Sequence, residues 1–385
     1  MADLQARPSA QGADLTERPL KVFQFIEGGA RYGAAVSVMN IAEGLRQHGI
    51  DLEFGIFAGR PLGDVIWERG FVLREVPANH RYDFRGIRHL IHLFREQHYD
   101  VVHTHLSRAT INGSIAARIT RTPVVATVHG MNRKYTYMLA NHIMTVSEAA
   151  KRHLVKQGIR ESRVTPVYNS INTEPFDHRP SPAEAKAAFG FEQEDTVIGT
   201  ISRAHYDKGI DLALRAVEEI RWRGMNAKYL FVGDGPHLVQ FRNLAVELGI
   251  AAHVRFPGFS QRIVEALAAM DVFMFPTQRE AFGISLLEAM AAEVPVVASM
   301  VDGVNEVLDD DSGILLSDRT PSAFATAAQT LLTDSCLRED VVRNARNRVD
   351  SCFSLERTAR DVEKVYRLVV RQAALHPRAR CPDVL

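Results

Sequence analysis

Cysteine is scarce in this sequence of 385 residues, which contains three: Cys336, Cys352 and Cys381. None of them forms a C-x-x-C pair or has the spacing of a zinc site, so neither a disulfide framework nor a cysteine-based metal centre is indicated. We therefore expect a reduced, cytoplasmic setting. Long apolar runs are also missing, since no stretch reaches the roughly 18 apolar residues that a membrane-spanning helix needs. The sequence predicts no such helix.

The beginning of the chain lacks a long apolar run. The first 19 residues are mainly polar, contain Pro8, Gly12 and Pro19, and have no apolar core of the kind found in signal peptides. We expect a disordered lead over residues 1–19.

The chain has no net charge overall, but its two halves carry opposite charges. Residues 1–170 contain 22 Lys and Arg against 15 Asp and Glu, a net charge of +7, so the remainder of the neutral chain carries −7. A basic first half would be attracted to an anionic membrane surface or a phosphorylated glycan; a merely uneven surface is an equally good interpretation. The clearest basic stretches are 81–95 and 151–156. The helically spaced Ile87, Leu90, Ile91 and Phe94 also fit a core-facing stripe, and because no nucleic-acid motif accompanies the charges we predict no nucleic-acid partner.

Strand and helix patterns alternate along the chain. Runs rich in Val, Ile and Phe alternate with helical segments over 21–169 and again over 196–316. This alternation of strands and helices predicts an α/β protein with two parallel sheets and crossover helices. The stretch between them, 172–194, contains Pro175, Pro180 and Pro182, which favours a linker with one short helix.

Two segments carry most of the chemical information. Glu280-Ala-Phe-Gly-Ile-Ser-Leu-Leu-Glu288 places two carboxylates eight residues apart, across a glycine turn that leads into a short apolar helix over 285–293. The unpaired N–H groups and dipole at a helix start suit a phosphate. About 70 residues earlier, the predicted strand 196–201 is followed by Arg203 and Lys208-Gly209, whose two cations can offset a diphosphate without a metal. Taken singly, each pattern also fits an ordinary solvated surface.

In this order the segments resemble the retaining glycosyltransferases of family 4, whose signature is a Glu, seven residues and a second Glu. The resemblance extends over most of the chain, through the strand 21–26 with Glu27-Gly28-Gly29 and a helix over 33–47, Asp100–His105, Pro123–Gly130, His142–Ser147, Val164–Asn172, Phe231–Pro236 and Phe256–Phe259. The family commonly continues its glycine pair as Gly-Gly-x-Glu, whereas Arg31 stands here at the glutamate position. Whether Arg31 alters the choice of acceptor is left open.

The resemblance implies the GT-B architecture, two Rossmann-like domains that face each other across a cleft. An acceptor-side domain would cover residues 20–172 and a nucleotide-sugar-binding domain 173–354. The last part, 355–385, would be a helix that crosses back onto the first domain, followed by a tail; the alternative is a last helix that belongs to the second domain.

The resemblance also implies a reaction and a set of site residues. A sugar would pass from a nucleotide diphosphate sugar to an acceptor hydroxyl with retention at the anomeric carbon and without a cofactor or metal. The catalytic group would comprise Arg203 and Lys208 on the diphosphate, Glu280 on the sugar hydroxyls and His129 beside the sugar. The donor-binding group would comprise Gly29, Phe259 at the base, the backbone of Phe282, Gly283, Ile284 and Ser285, and Glu288 at the ribose.

Neither glutamate is expected to be a nucleophile. A retaining hydrolase needs carboxylates about 5 Å apart, whereas residues eight apart across this turn and helix should lie about 10 Å apart. The one Asp-x-Asp motif, within Asp309-Asp310-Asp311, is interpreted as a solvated turn and not as a metal site. We interpret His103 and His105 as structural residues on opposite faces of their strand, not as a metal pair.

The acceptor is expected to be a glycan or a lipid-linked glycan of the bacterial cell surface, such as lipopolysaccharide or exopolysaccharide, with the protein at the inner face of the cytoplasmic membrane. Two alternatives stay open. One is an isomerase on the same fold, similar to the sugar-nucleotide 2-epimerases, which the Arg203–Lys208 loop disfavours. The other is a non-catalytic protein that binds nucleotides or glycans, which the retained glutamates and cations disfavour.

Overall fold

The computed structural model describes residues 18–29, 33–77, 83–309 and 311–375. The predicted lead over 1–19 lies almost wholly outside these described residues, as do Arg31, Asp310 and Cys381. Within them, no helix is both long and apolar enough to cross a membrane.

The first half of the chain forms one parallel sheet. Its strands are β1 (Lys21–Ile26), β2 (Asp51–Phe57), β3 (Val72–Val76), β4 (Val101–His105), β5 (Val124–Val128), β6 (His142–Thr145) and β7 (Val164–Pro166). They lie in the order β3-β2-β1-β4-β5-β6-β7. The crossover helices are α1 (Gly33–Gln47), α2 (Leu62–Glu68), α3 (Phe84–Gln97), α4 (Ser107–Thr120) and α5 (Glu148–Lys156). Every residue of β4 and β5 is buried, as expected for parallel strands covered by helices on both faces.

Two short helices, α6 (Glu174–Asp177) and α7 (Pro182–Ala188), occupy the connection where one was predicted. Ser181 caps α7 through a reciprocal capping box with Glu184, and Pro182 occupies the first turn, where its missing N–H costs nothing.

A second parallel sheet follows. Its strands are β8 (Thr196–Ile201), β9 (Ala227–Val232), β10 (Val254–Gly258), β11 (Val272–Phe275), β12 (Val296–Ser299) and β13 (Ile314–Leu316), in the order β10-β9-β8-β11-β12-β13. The helices are α8 (Ile210–Trp222), α9 (Leu238–Glu247), α10 (Ile263–Ala268), α11 (Ile284–Ala291), α12 (Val304–Val307), α13 (Pro321–Thr333), α14 (Ser335–Cys352) and α15 (Leu355–Leu375). The predicted class, two Rossmann-like parallel-sheet domains, is confirmed.

The last helix lies against the first sheet. Val362, Val365 and Tyr366 of α15 are buried in one cluster with residues of β1, β4 and α1. On α3, the residues Ile87 and Leu90 are buried in the core of the first domain, so the apolar stripe of this basic segment faces inward.

The strand order reverses once in each sheet, between β1 and β4 in the first and between β8 and β11 in the second. At such a switch point the loops that follow neighbouring strands run in opposite directions, which opens a crevice at the carboxyl ends of the strands. The predicted site residues Arg203, Lys208, Glu280 and Gly29 lie in the segments that connect these switch-point strands to the helices that follow them.

Candidate functional site

The loop after β8 is held against the loop after β11. The Asp207 carbonyl accepts hydrogen bonds from Gln278 N at 2.7 Å and from Thr277 Oγ1 at 3.1 Å. Gly209 has a φ of +69°, and a Cβ there would lie 2.1 Å from the carbonyl oxygen of Pro276. Only glycine fits this contact, so the close approach of the two loops depends on Gly209.

This approach brings Lys208 and Glu280 together. Lys208 Nζ donates to Glu280 Oε2 at 2.6 Å, and both side chains are about one-sixth exposed (17% and 16%). Glu280 Oε1 accepts from the backbone N–H of Ala281 at 2.9 Å and of Phe282 at 3.4 Å. The carboxylate is therefore oriented from both ends, as a preorganised site requires.

Arg203 lies on the same loop and is exposed. Its Nη2 is 3.6 Å from Asp207 Oδ2, and Asp207 also contacts His205 Nδ1 at 2.7 Å through Oδ1. The exposed guanidinium is a second cation on the loop that carries Lys208. Its ion pair with Asp207 is long and partly solvent-exposed, so an incoming anion can compete with Asp207 for the guanidinium.

The start of α11 supplies backbone donors. Gly283 has a φ of +99° and precedes the first helical residue, Ile284, one residue earlier than predicted. The first N–H groups of a helix have no acceptor within it, so Ile284 and Ser285 offer theirs at the positive end of the dipole. The side chain of Phe282 is buried and packs on Tyr168 and Phe353, with ring centroids 5.8 and 5.6 Å away. Only the backbone of Phe282 can therefore contact a ligand, and its N–H already binds Glu280.

Glu288 lies on the second turn of α11 and is half-buried. Burial raises the pKa of its carboxyl to about 7. When ionised, this group accepts hydrogen bonds only, and it suits a pair of hydroxyls.

The first domain approaches the same loops. A Cβ on Gly33, the first residue of α1, would lie 3.3 Å from Ile284 Cγ1 at the start of α11. The loop before α1 contains the glycine pair, and of the two it is Gly28 that has a left-handed φ of +85° and no room for a side chain beside Arg60. Gly29 is exposed and, within the described part of the chain, no atom lies within 4 Å of a built Cβ.

His129 follows β5 and is half-buried. Its Nε2 lies 3.1 Å from Nδ1 of His105, and burial lowers the pKa of His129 to about 4. The expectation that His103 and His105 face opposite sides of β4 is wrong, because residues two apart on a strand share a face. Their ring centroids lie 4.0 Å apart.

Phe259 lies apart from the cations. It follows Gly258 at the end of β10 and is 42% exposed. Because β9 separates β10 from β8, about two strand spacings, or ~10 Å, lie between their ends. Phe259 therefore lies at the same edge of the sheet as the cations, about two strands away, and its contact with a nucleotide base stays a prediction.

A second link between the domains involves Glu306 of α12. Its carboxylate accepts from the backbone N–H of Glu148 at 2.7 Å and of Ala149 at 2.6 Å, the first residues of α5. A carboxylate at a helix N-terminus is favoured by the dipole and by charge-assisted hydrogen bonds. Arg152 of the basic stretch 151–156 also lies 3.8 Å from Glu306, so part of that positive charge is paired within the protein.

Four further residues of this region were not predicted from the sequence: Gln24, Thr277, Glu306 and Tyr366. Thr277 and Glu306 make the contacts given above. The Gln24 side chain hydrogen-bonds both Tyr366 and His105, the neighbour of His129. Gln24 had a signal, because it is a polar residue within an otherwise apolar strand. Tyr366 had none, since its ring belongs to the apolar stripe of α15. Among the described residues, no cluster of three His, Cys, Asp or Glu side chains could hold a metal ion.

The comparisons with known proteins agree with this geometry. The family model described as Glycosyltransferase Family 4 matches residues 32–175, and that of Glycosyl transferases group 1 matches 182–348. The chain is 27% identical over 372 residues to an uncharacterised glycosyltransferase of Methanocaldococcus jannaschii, covering 88% of this chain and 95% of that protein. It is 27% identical to the capsular polysaccharide biosynthesis glycosyltransferase CapM of Staphylococcus aureus, covering 76% of this chain and 82% of CapM.

A solved structure has the same fold. The crystal structure of Anabaena HepE in complex with UDP and glucose superposes with a TM-score of 0.80 at 19% identity, covering 90% of this chain and 99% of HepE.

Proposed function

Since the chain belongs to the family 4, group 1 glycosyltransferases, we propose that it transfers a sugar from a nucleotide diphosphate sugar to an acceptor hydroxyl, with retention at the anomeric carbon. The observation that carries the proposal is the pairing of Lys208 with Glu280, next to Arg203 and the start of α11. Cations and helix N–H groups suit a diphosphate, and an adjacent carboxylate suits sugar hydroxyls. The complex of Anabaena HepE with UDP and glucose supports a donor of this class.

The diphosphate is the leaving group in this reaction, so negative charge grows on it in the transition state. Lys208 and Arg203 would stabilise that charge, with N–H groups from the start of α11 on the same phosphates. When the phosphate binds, Lys208 would either leave Glu280 for the phosphate or contact both groups.

Retention is proposed to occur without a covalent intermediate. Glu280 is held by Lys208 and by two backbone N–H groups, and a carboxylate with its lone pairs so engaged is a poor nucleophile. The alternative is attack from the face of the leaving group. A phosphate oxygen would then take the acceptor's proton as the new glycosidic bond forms and the bond to the diphosphate breaks.

The acceptor is proposed to be a glycan or lipid-linked glycan of the bacterial cell surface, on the strength of the similarity to CapM. The protein would work in the cytoplasm, at the inner face of the membrane, without a metal or other cofactor. These parts rest on the resemblance and on the net charge of +7 over residues 1–170.

The proposal is tested by a thermal-shift screen of the purified protein with UDP, GDP, ADP and their sugar conjugates, in the presence of EDTA. We expect a shift with one diphosphate, since a ligand at ~100 times its Kd stabilises by ~2.7 kcal/mol. The shift should be lost in Glu288→Ala and retained in Glu247→Ala, an exposed glutamate on α9. No shift with any nucleotide would contradict a preformed donor site.

Product analysis then separates the alternatives. With the accepted donor and a simple alcohol or glycan acceptor, NMR of the product should show the donor's own anomeric configuration. Inversion would refute retention, and conversion of the sugar nucleotide into an epimer without transfer would identify an isomerase. A requirement for added divalent metal would refute the metal-independent mechanism.

A further inference from the structure

A chain of hydrogen bonds runs through the interior of the first domain, from Thr127 through Tyr366 of the last helix to His129. It joins six side chains, namely Thr127, His103, Tyr366, Gln24, His105 and His129. All are buried except His129, which is half-buried at the end nearest the site. Buried polar groups joined in this way influence one another's proton positions.

The separations are short enough for every link to be a hydrogen bond. His103 lies 2.6 Å from Thr127 Oγ1 through Nε2 and 2.6 Å from Tyr366 Oη through Nδ1. Gln24 lies 3.1 Å from Tyr366 Oη through Nε2 and 2.6 Å from His105 Nε2 through Oε1. The last link joins His105 Nδ1 to His129 Nε2 at 3.1 Å.

All three histidines are neutral at pH 7. Burial lowers the pKa of His103 and of His105 well below the ordinary value, and that of His129 to about 4. A neutral imidazole has one nitrogen that donates and one that accepts. The hydrogen bonds of this series can therefore point in either of two directions, with every donor and acceptor exchanged between them. The orientation of the Gln24 amide selects the direction.

The distances at Gln24 favour one pattern. Its 3.1 Å separation from Tyr366 Oη suits an amide N–H donor, since O–H···O bonds centre near about 2.7–2.8 Å. Its 2.6 Å separation from His105 suits the amide oxygen, because two nitrogens with a hydrogen between them need more room than nitrogen and oxygen. His105 then donates through Nε2 and accepts at Nδ1, so His129 donates through Nε2.

We propose that this chain of hydrogen bonds holds His129 in its Nε2–H tautomer. Nδ1 of His129 then accepts a hydrogen bond from a hydroxyl of the donor sugar, and Gln24 and Tyr366 are positioning residues for this contact. Among the described residues, Nδ1 of His129 has no hydrogen-bond partner of its own. The identity of the ligand rests on the proposed function, whereas the tautomer does not. By this route α15 takes part in the donor site, although Tyr366 lies 263 residues from His103 along the chain.

The test is NMR of protein labelled with 15N-histidine. Two-bond correlations between ring nitrogens and carbon-bound protons distinguish protonated from unprotonated nitrogens, and a His129→Gln variant assigns the His129 signals. In the wild type we expect His129 to be protonated at Nε2 alone. His129 protonated at Nδ1 would overturn the inference, and because no donor is needed, this outcome is independent of whether the proposed reaction occurs.

Two variants test the positioning roles. Tyr366→Phe and Gln24→Met each break the chain, so a second set of His129 signals with Nδ1 protonated should appear. The donor KM should rise about tenfold, the worth of one hydrogen bond, with kcat little changed. Tyr137→Phe is the matched control, because Tyr137 is equally buried but binds Asn132 Nδ2, outside the chain. Wild-type His129 signals in both folded variants would refute the positioning roles.

Discussion

Lys208 Nζ and Glu280 Oε2 lie 2.6 Å apart, although the two residues are 72 positions apart in the sequence. The contact joins the loops that follow β8 and β11, the two strands at the switch point of the second sheet. A cation and a carboxylate are thus held side by side, as the proposed transfer from a diphosphate donor would require.

Replacing Lys208 should lower turnover without unfolding the protein. We expect Lys208→Ala to reduce kcat by about 10²–10³, the loss typical of removing one group that stabilises charge in a transition state. Steady-state kinetics with the accepted donor would measure this loss. The control is Lys228→Ala, because Lys228 is also partly buried and lies 3.6 Å from a carboxylate, that of Asp195, outside the crevice. Equal turnover in the two variants would remove Lys208 from the site.

Glu288 should make stability depend on pH in an unusual direction. In the folded protein its carboxyl has a pKa of about 7, against 4.5 for an ordinary glutamate. Unfolding therefore releases a proton between these pH values, so the stability that the protonated form contributes is present below pH ~4.5 and lost as the pH rises through ~7. At about 1.4 kcal/mol per pKa unit, the rise from 4.5 to about 7 corresponds to a change on the order of 3–4 kcal/mol.

Denaturant titrations at pH 5, 6, 7 and 8 would measure this dependence. Glu288→Gln should flatten it over the same range, whereas Glu247→Gln, at an exposed position on α9, should leave the wild-type curve. A Glu288→Gln protein with the wild-type pH dependence would show that another group is responsible.

Glu306 should hold the two domains together. Its carboxylate accepts two backbone hydrogen bonds from the start of α5 and is 12% exposed. Glu306→Ala should lower the free energy of unfolding by about 1.5–3 kcal/mol, the range for hydrogen bonds to a charged group, and should increase the radius of gyration in X-ray scattering. Asp302→Ala is the control, because that neighbouring carboxylate is 77% exposed and lies 3.8 Å from Arg152. The same behaviour in both variants would exclude a specific link.

Gly209→Ala should disturb both stability and the position of Lys208. An added Cβ would meet the carbonyl of Pro276 at 2.1 Å, in addition to the cost of a left-handed backbone. Gly224→Ala isolates the backbone cost, since Gly224 has a φ of +93° and a Cβ there would have no described residue within 4 Å. We expect a loss of about 1–2 kcal/mol for Gly224→Ala and a clearly larger loss, with reduced turnover, for Gly209→Ala. Thermal unfolding and kinetics of the two proteins would decide this comparison.

Local patterns were enough to predict several elements. β1 and β8 begin and end at the residues expected from their apolar runs, and α1 at those expected from its small residues after the glycine pair. The reason is physical: a continuous apolar run bounded by turn residues is a property of a short segment and suits a strand that is buried on both faces. The predicted start of α11 was late by one residue and its predicted end by two, because Gly283 caps the helix and Glu293 takes a left-handed backbone beyond its end.

The roles of polar side chains were harder to predict, because they depend on partners far away in the sequence. Gln24 interrupts an apolar strand, yet nothing nearby indicates that it joins Tyr366 to His105. The error about His103 and His105 came from misapplied strand geometry. Their role in a continuous hydrogen-bond chain depends on the register between β4, β5 and α15.

The order of residues along this chain was thus sufficient for the α/β class, two sheets, the family and the set of polar residues at the strand ends, since these follow from segment-length patterns and motif spacing. Folding determined which of those residues meet. The Lys208–Glu280 pair, the Glu306 link and the tautomer of His129 depend on loops and helices brought together across long stretches of chain, and hydrogen bonds act over only about 3 Å. Such contacts follow from packing and have no local signature.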